Sequence, residues 1–326
     1  MRPFTYQRAS DAAGAVRAGG TFLAGGTTLL DLMKLDVMQP RALVDINDLS
    51  RELGGIDYGS QGLRLGALAH MSSVARHPDV VRNYPLISQS LLLAASAQLR
   101  NMATLGGNVL QRTRCNYFRD TSWSRCNKRN PGSGCAALEG VNRKHAVLGT
   151  SPNCIAAYPG DFAQALIALD AMVEIAGPQG TRRIAFADLH LPPGDNPSIE
   201  TSLRPGELIT YLVVPALPFA RRSLYLKIRD RQSYEFALAS AAVALDLDGD
   251  TVRETRLALG GVATKPWRAR EAEASLRGKR LDEGTARTAA EAAFASAVTH
   301  GGNDFKPELG RRTLVRALLE AKALRV

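Results

Sequence analysis

Residues 21–36 read TFLAGGTTLLDLMKLD, and the order in which apolar, glycine and helix-forming residues follow one another there sets the fold. Phe22, Leu23 and Ala24 make a short apolar strand. Gly25 and Gly26 turn the chain, because glycine takes φ > 0 and lets the backbone approach a ligand. A helical pattern follows through Leu29, Leu30, Leu32 and Met33. Thr27 or Thr28 caps it, and Asp31 stands three residues past Thr28, as in a capping box. RALVDI (residues 41–46) reads as a second buried strand, so the stretch closes a small βαβ unit with a parallel pair. The amides of Gly26, Thr27, Thr28 and Leu29 then face the open side of the turn, where an anion would bind. The turn matches neither G-x-G-x-x-G nor a P-loop, and alone it reads as a structural turn.

A second glycine pair changes that reading. In RNMATLGGNV (residues 100–109), Gly106 and Gly107 follow a helical stretch and carry Thr104 and Asn108 beside them. Two glycine turns flanked by threonine can enclose a pyrophosphate from two sides. This points to a dinucleotide cofactor.

The rest of the chain supplies the frame. A short helix spans about 10–19, opened by Ser10 or Asp11 and closed by Gly19 and Gly20. GLRLGAL (62–68) alternates as a strand, and residues 70–100 are largely helical with breaks at Pro78 and Pro85. DFAQALIALD (161–170) is a helix. MVEIA and RRIAF flank GPQGT as a hairpin, and ELITYLVV (207–214) is another strand. Pro215 and Pro218 mark a boundary. Beyond it RSLYLKIRD, ALASAAVALDLDGD and TVRETRLALGG form a three-stranded antiparallel meander, followed by helices from about residue 267. The expected units are a small α/β unit (1–55), a larger α+β unit (56–217) and a sheet with helices (218–326).

Composition limits the function. At 45% apolar and 22% charged residues, the chain is an ordinary globular one, with no apolar run of the roughly 18 residues that a membrane span needs. The net charge of +10 favours an acidic partner or surface. No basic block of five occurs and aromatics are sparse, which argues against nucleic acid. The first twenty residues contain no apolar h-region, so no secretory signal of the chain's own is expected. No Ser-His-Asp or paired-carboxylate arrangement stands out, so no catalytic residue is assigned.

All four cysteines fall between Cys115 and Cys154, separated by ten, eight and eighteen residues. There is no C-x-x-C, so zinc-knuckle and thioredoxin readings have little support. Two disulfides would suit an oxidising compartment. A [4Fe–4S] cluster needs four thiolates, which a long irregular loop can supply. Eight Lys or Arg against two acids between Arg112 and Lys144 favour thiolate. The residues alone leave both readings open.

Taken together, LAGGTTLLDLMK and QLRNMATLGGNV resemble the FAD-binding subunit of the xanthine dehydrogenase and carbon monoxide dehydrogenase family. PGDFAQALIALDA (159–171) and LYLKIRDRQSYEFALASAAVAL (224–245) are similar to two further family segments, in the same order. The resemblance covers essentially the whole chain. It implies an α+β fold: an FAD-binding domain of the vanillyl-alcohol-oxidase (PCMH) type, with a small α/β and a larger α+β subdomain, then a domain like the C-terminal one of the carbon monoxide dehydrogenase flavoprotein. It also implies that Leu23, Ala24, Gly25, Gly26, Thr27, Thr28, Leu29 and Leu30 wrap the pyrophosphate, and that Ala103, Thr104, Gly107 and Asn108 form the opposite wall. Asp161, with Phe162 beside it, would bind the flavin; Lys227 would lie near the isoalloxazine and Ile209 line it. A lysine there would favour reduced, anionic flavin.

Fifty-two residues separate Asn108 from Asp161, far more than the family usually has, and the surplus (about 112–156) carries the cysteines. CNKRNPGSGCAALEGVNRKHAVLGTS resembles the cluster-bearing insertion of the periplasmic aldehyde oxidoreductase FAD subunit of enterobacteria. A related insertion occurs in 4-hydroxybenzoyl-CoA reductase. The resemblance implies that Cys115, Cys126, Cys135 and Cys154 are cluster ligands, whereas His145 reads as a loop or core histidine. The implied function is the FAD- and [4Fe–4S]-containing electron-transfer subunit of a heterotrimeric molybdenum-dependent aldehyde oxidoreductase. Its partners would be a large subunit with the molybdenum cofactor and a small subunit with [2Fe–2S] clusters, and an external acceptor would take the electrons. The placement implied is periplasmic, by co-export with a signal-bearing partner, with the cytoplasm as the alternative. Rival functions are the FAD subunit of a xanthine-, CO- or aromatic acyl-CoA-type hydroxylase, or a basic metal-knuckle nucleic-acid binder.

Overall fold

The computed structural model describes all residues, Met1–Val326. Strands β1 (Thr5–Arg8), β2 (Thr21–Leu23) and β3 (Ala42–Asp45) form a parallel sheet in the order β1-β3-β2. Parallel neighbours need crossovers, and helices Ala12–Ala18 and Leu29–Lys34 provide them. Asp11 caps the first helix, accepting from the Gly14 amide at 2.6 Å, and Gly19 leaves it at φ 62°. The expected βαβ unit is present. Strand β1 has no signature in the sequence because all four of its residues are exposed, so no apolar alternation marks it.

The second sheet is antiparallel: β4 (Ile56–Gly59), β5 (Gly62–Gly66), β6 (Met172–Gly177), β7 (Gly180–Ala185) and β8 (Leu208–Pro215), in the order β4-β5-β8-β6-β7. Strand β8 sits centrally, so chain from both sides of the cysteine window meets in one sheet. Helices between Met71 and Val109 pack against it with helix Phe162–Ala168, whose residues are all buried. Pro78 and Pro85 each open a helix at its first position, where a missing N–H costs nothing.

The third sheet holds β9 (Ser223–Ile228), β10 (Ala239–Asp248), β11 (Thr251–Gly260) and β12 (Trp267–Arg268), in the order β12-β11-β10-β9. The meander therefore has four strands instead of three. The fourth is two residues long, too short to show a period. Helices Arg270–Leu276, Glu283–Ala293 and Lys306–Lys322 close a separate core with this sheet.

The cysteine window is mostly irregular, with one short helix, Asn116–Arg119. Its far end is stitched to the third unit. Asn142 donates to the His300 carbonyl (2.6 Å), Asn303 to that of Ala146 (3.1 Å), and fully buried Lys306 to those of His145 (2.9 Å) and Gly261 (2.6 Å). Burial lowers Lys306 to about 7.

Candidate functional site: a glycine-walled trough and a thiol chamber

The two glycine motifs meet back to back. A Cβ on Gly25 would lie 1.9 Å from the Met102 carbonyl oxygen, so only glycine lets the first turn rest on the second stretch. Gly26 follows at φ 70°, the left-handed region. Thr28 precedes helix Leu29–Lys34 but makes no side-chain cap, so the expected capping box is absent. Asp31 is drawn away instead: Arg119 binds both of its oxygens at 2.8 and 3.1 Å, and Arg114 binds one at 3.2 Å. The Arg119 hydrogen bonds hold its carboxyl below the usual range. Thr104 caps helix Leu105–Val109 by accepting from the Gly107 amide, so Gly106 and Gly107 lie inside a helical turn and not before one.

A cleft of about 350 Å³ runs between the motifs. Ala24, Gly25, Gly26, Thr27, Thr28 and Leu29 line one side; Thr104, Gly107, Leu110 and Arg112 line the other. It continues past Met38, Leu110 and Arg112, which it shares with a second cleft of about 360 Å³. The result is one elongated trough: the two glycine motifs wall one arm, and Met38, Leu110 and Arg112 form the junction with the other. A dinucleotide's pyrophosphate suits the glycine-walled arm, because backbone amides supply donors without bulk. Leu23, Leu30, Ala103 and Asn108 stand just behind the lining. The buried Asn108 Oδ1 has no protein partner.

Four residues implied for the flavin do not line this trough. Phe162 and Ile209 belong to the main core, with no surface on the trough. Asp161 and Lys227 are buried and committed to each other, Nζ to Oδ2 at 2.7 Å, while Nζ also reaches the Leu93 carbonyl at 3.0 Å. Tyr225 donates to the other Asp161 oxygen at 2.7 Å and meets Ser240. Burial pushes the Asp161 carboxyl above the usual range, against the opposing pull of Lys227 and Tyr225. This network ties the third sheet to the second unit.

The four cysteines converge. Cys115, Cys126, Cys135 and Cys154 line one small, tight pocket, and none is in a disulfide. Cys126 and Cys135 are paired across an antiparallel bridge, and a second bridge joins Ser151 and Cys154. Glycines at φ 83° (Gly132) and φ 91° (Gly134) turn the hairpin between the first two. Burial pushes the Cys115 thiol up to about 12 and that of Cys154 to about 11. Thiolates in such a place need positive charge delivered into the chamber itself, which a metal group does. No three His, Cys, Asp or Glu side chains approach closely enough to hold a single metal ion. A [4Fe–4S] cluster takes four thiolates, and four cysteines are the donors that line this pocket. His145 is buried, as expected, but sits against the site: its Nε2 is 3.2 Å from Cys115 Sγ, and burial lowers it to about 4. Cys154, Lys128 and Ala156 line both the chamber and the trough, so the two sites share a wall.

A glycine-walled trough beside the sheet of the second unit, with a sheet-and-helix unit behind it, defines a flavin-binding subunit. Residues 1–217 match the family described as the FAD binding domain in molybdopterin dehydrogenase, and residues 224–321 the carbon monoxide dehydrogenase flavoprotein C-terminal domain. The chain belongs to this family of molybdopterin dehydrogenase flavoproteins. It is 48% identical to the aldehyde oxidoreductase FAD-binding subunit PaoB of Escherichia coli (strain K12), over 99% of each chain. It is 27% identical to the carbon monoxide dehydrogenase medium chain of Hydrogenophaga pseudoflava, over 95% of this chain and 92% of that one. Among solved structures, carbon monoxide dehydrogenase from Hydrogenophaga pseudoflava lacking the Mo-pyranopterin moiety of its molybdenum cofactor superposes with a TM-score of 0.76 at 28% identity. The match covers 99% of this chain and 98% of that one.

Proposed function

We propose that this chain is the FAD- and [4Fe–4S]-containing electron-transfer subunit of a heterotrimeric, molybdenum-dependent aldehyde oxidoreductase. The observation that carries the cluster is the convergence of all four cysteines on one enclosed chamber beside the trough. The likeness to PaoB over the whole length supports the aldehyde-oxidising branch. Bound FAD supplies the exchange between one- and two-electron chemistry that links [2Fe–2S] clusters on a small subunit to an external acceptor. Aldehyde oxidation belongs to a large subunit with the molybdenum cofactor.

The chain's own part is to bind and to orient. Ala24 through Leu29 hold the pyrophosphate on one side, and Thr104 and Gly107 hold it on the other. Leu23, Leu30, Ala103 and Asn108 back those walls. Asp161 and Lys227 set the position of the third unit behind the flavin. Phe162 and Ile209 support the floor from the core. The working units are 1–55, 56–217 and 218–326.

Protein purified anaerobically is expected to contain about one FAD per chain, with iron and acid-labile sulfide in equal amounts. Each Cys→Ser change at positions 115, 126, 135 and 154 is expected to remove most of the iron while FAD remains measurable. If all four variants keep wild-type iron, the thiols are not ligands. Placement follows the partners: we propose periplasmic residence by co-export. Deleting the signal of the small subunit should retain this chain in the cytoplasmic fraction; export without that signal would contradict it.

A further inference from the structure

The helix that leaves the glycine turn and the loop that carries the thiols are joined at one carboxylate. Asp31 is the third residue of helix Leu29–Lys34, directly after the turn. It holds Arg119 by two oxygens and Arg114 by one. Arg114 immediately precedes Cys115, and Arg119 ends the short helix that Cys115 opens. A carboxylate fixing a guanidinium at two points constrains direction as well as distance.

Packing runs along the same line. Leu32, from the turn helix, shares a small apolar cluster with Phe118 and Cys126, and Cys115 and Met38 border it. Met38 lines both arms of the trough, whereas Cys115 and Cys126 line the chamber. The two sites therefore share an ion-pair hinge and an apolar contact, and neither wall can shift without moving the other. Between Arg119 and the stitched end that begins at Asn142, the loop has no helix or strand and only the isolated Cys126–Cys135 bridge. Filling the chamber fixes that loop, and fixing it holds Arg114 and Arg119 on Asp31. Whichever site fills first meets the cost of ordering the shared wall, and the second site is spared it.

From this geometry we infer that Asp31 is a positioning residue that couples the two sites, so that a filled thiol chamber tightens FAD binding and bound FAD tightens the chamber. The inference rests on the cluster reading of the four cysteines. Coupling of this kind is reciprocal by thermodynamic necessity.

The test uses the full chain, stripped of flavin, with and without iron and sulfide reconstituted anaerobically. FAD is titrated by the quenching of its fluorescence, and iron is measured in every sample. In the wild type, FAD is expected to bind about five- to tenfold more tightly when iron is loaded, toward the low end for coupled sites. D31N should reduce that difference to less than about twofold, whereas D31E, which keeps the carboxylate, should restore most of it. R119Q gives the same comparison if D31N folds poorly. A merely structural Asp31 would lower both affinities together and leave their ratio unchanged. Iron-loaded and iron-free wild type binding FAD equally would overturn the coupling alone, as would a D31N ratio equal to that of the wild type. A wild-type chain that takes up no iron under any condition would overturn the cluster reading and the coupling with it.

Discussion

Gly25→Ala is expected to weaken FAD binding about 100-fold, which corresponds to roughly 3 kcal/mol. The methyl would sit 1.9 Å from the Met102 carbonyl oxygen and 2.8 Å from its carbon. Both atoms are backbone, so no side-chain rotation relieves the overlap. The first turn has to lift off residues 102–103, and that movement separates the two walls of the trough. Overpacking of this sort costs about 1–3 kcal/mol of stability besides. Gly59→Ala is the control, because nothing lies within 4 Å of the added methyl. Fluorescence titration with FAD and thermal unfolding of both variants test this. G25A that binds FAD as the wild type does would show that the turn is not part of the cradle.

Lys227→Met is expected to give the largest loss of stability, about 3–5 kcal/mol, because it leaves a buried carboxylate without its cation. The Lys227 and Asp161 side chains are 1% and 4% exposed, so no water replaces the lost partner. The sign of the pH dependence follows. In the variant, burial holds the Asp161 pKa above its unfolded value. The stability tied to that carboxyl is then fully present below the unfolded pKa and is lost as pH rises through the folded one. K227M should therefore be closest to the wild type in mild acid and fall further behind toward alkaline pH. Adding Asp161→Leu removes the stranded charge and should recover much of the loss. Chemical denaturation across pH measures all three proteins. A pH-independent penalty would mean that Asp161 does not carry the cost.

Much of this architecture is legible in the residues, and the exceptions have physical causes. Strands β2, β3 and β5 to β11 announce themselves by apolar runs or hairpin signals. Strand β1 is hidden because all its side chains face outward, and β12 because two residues make no pattern. The glycine turns give the trough away, since only backbone conformation and close approach demand glycine there. The Asp31 clamp is illegible: Arg114 and Arg119 lie more than eighty residues away, and a Thr–Asp spacing imitates a cap that never forms. The family resemblance singles out Asp161 and Lys227, but nothing in the residues marks them as partners of each other. The four cysteines invite both a disulfide and a metal reading from spacing alone. That none of the four is in a disulfide and that all four line one pocket is a matter of three-dimensional position, which spacing does not carry.

The stitching of residues 142–148 to the third unit bears on how the molecule is made. Lys306, Asn303 and His300 secure the backbone beside His145 and Cys115, yet they leave the ribosome more than 150 residues after it. A nascent chain can lay down the first two sheets and display all four thiols long before that clamp exists. The residues that line the thiol pocket all lie between 115 and 156, but the clamp on the far end of their loop is completed only at the end of translation, when helix Lys306–Lys322 docks. Whatever reaches the thiols during synthesis meets a loop without that clamp, and whatever reaches them afterwards meets a clamped one. A chain that stops short of Lys306 would keep its thiol loop without that clamp.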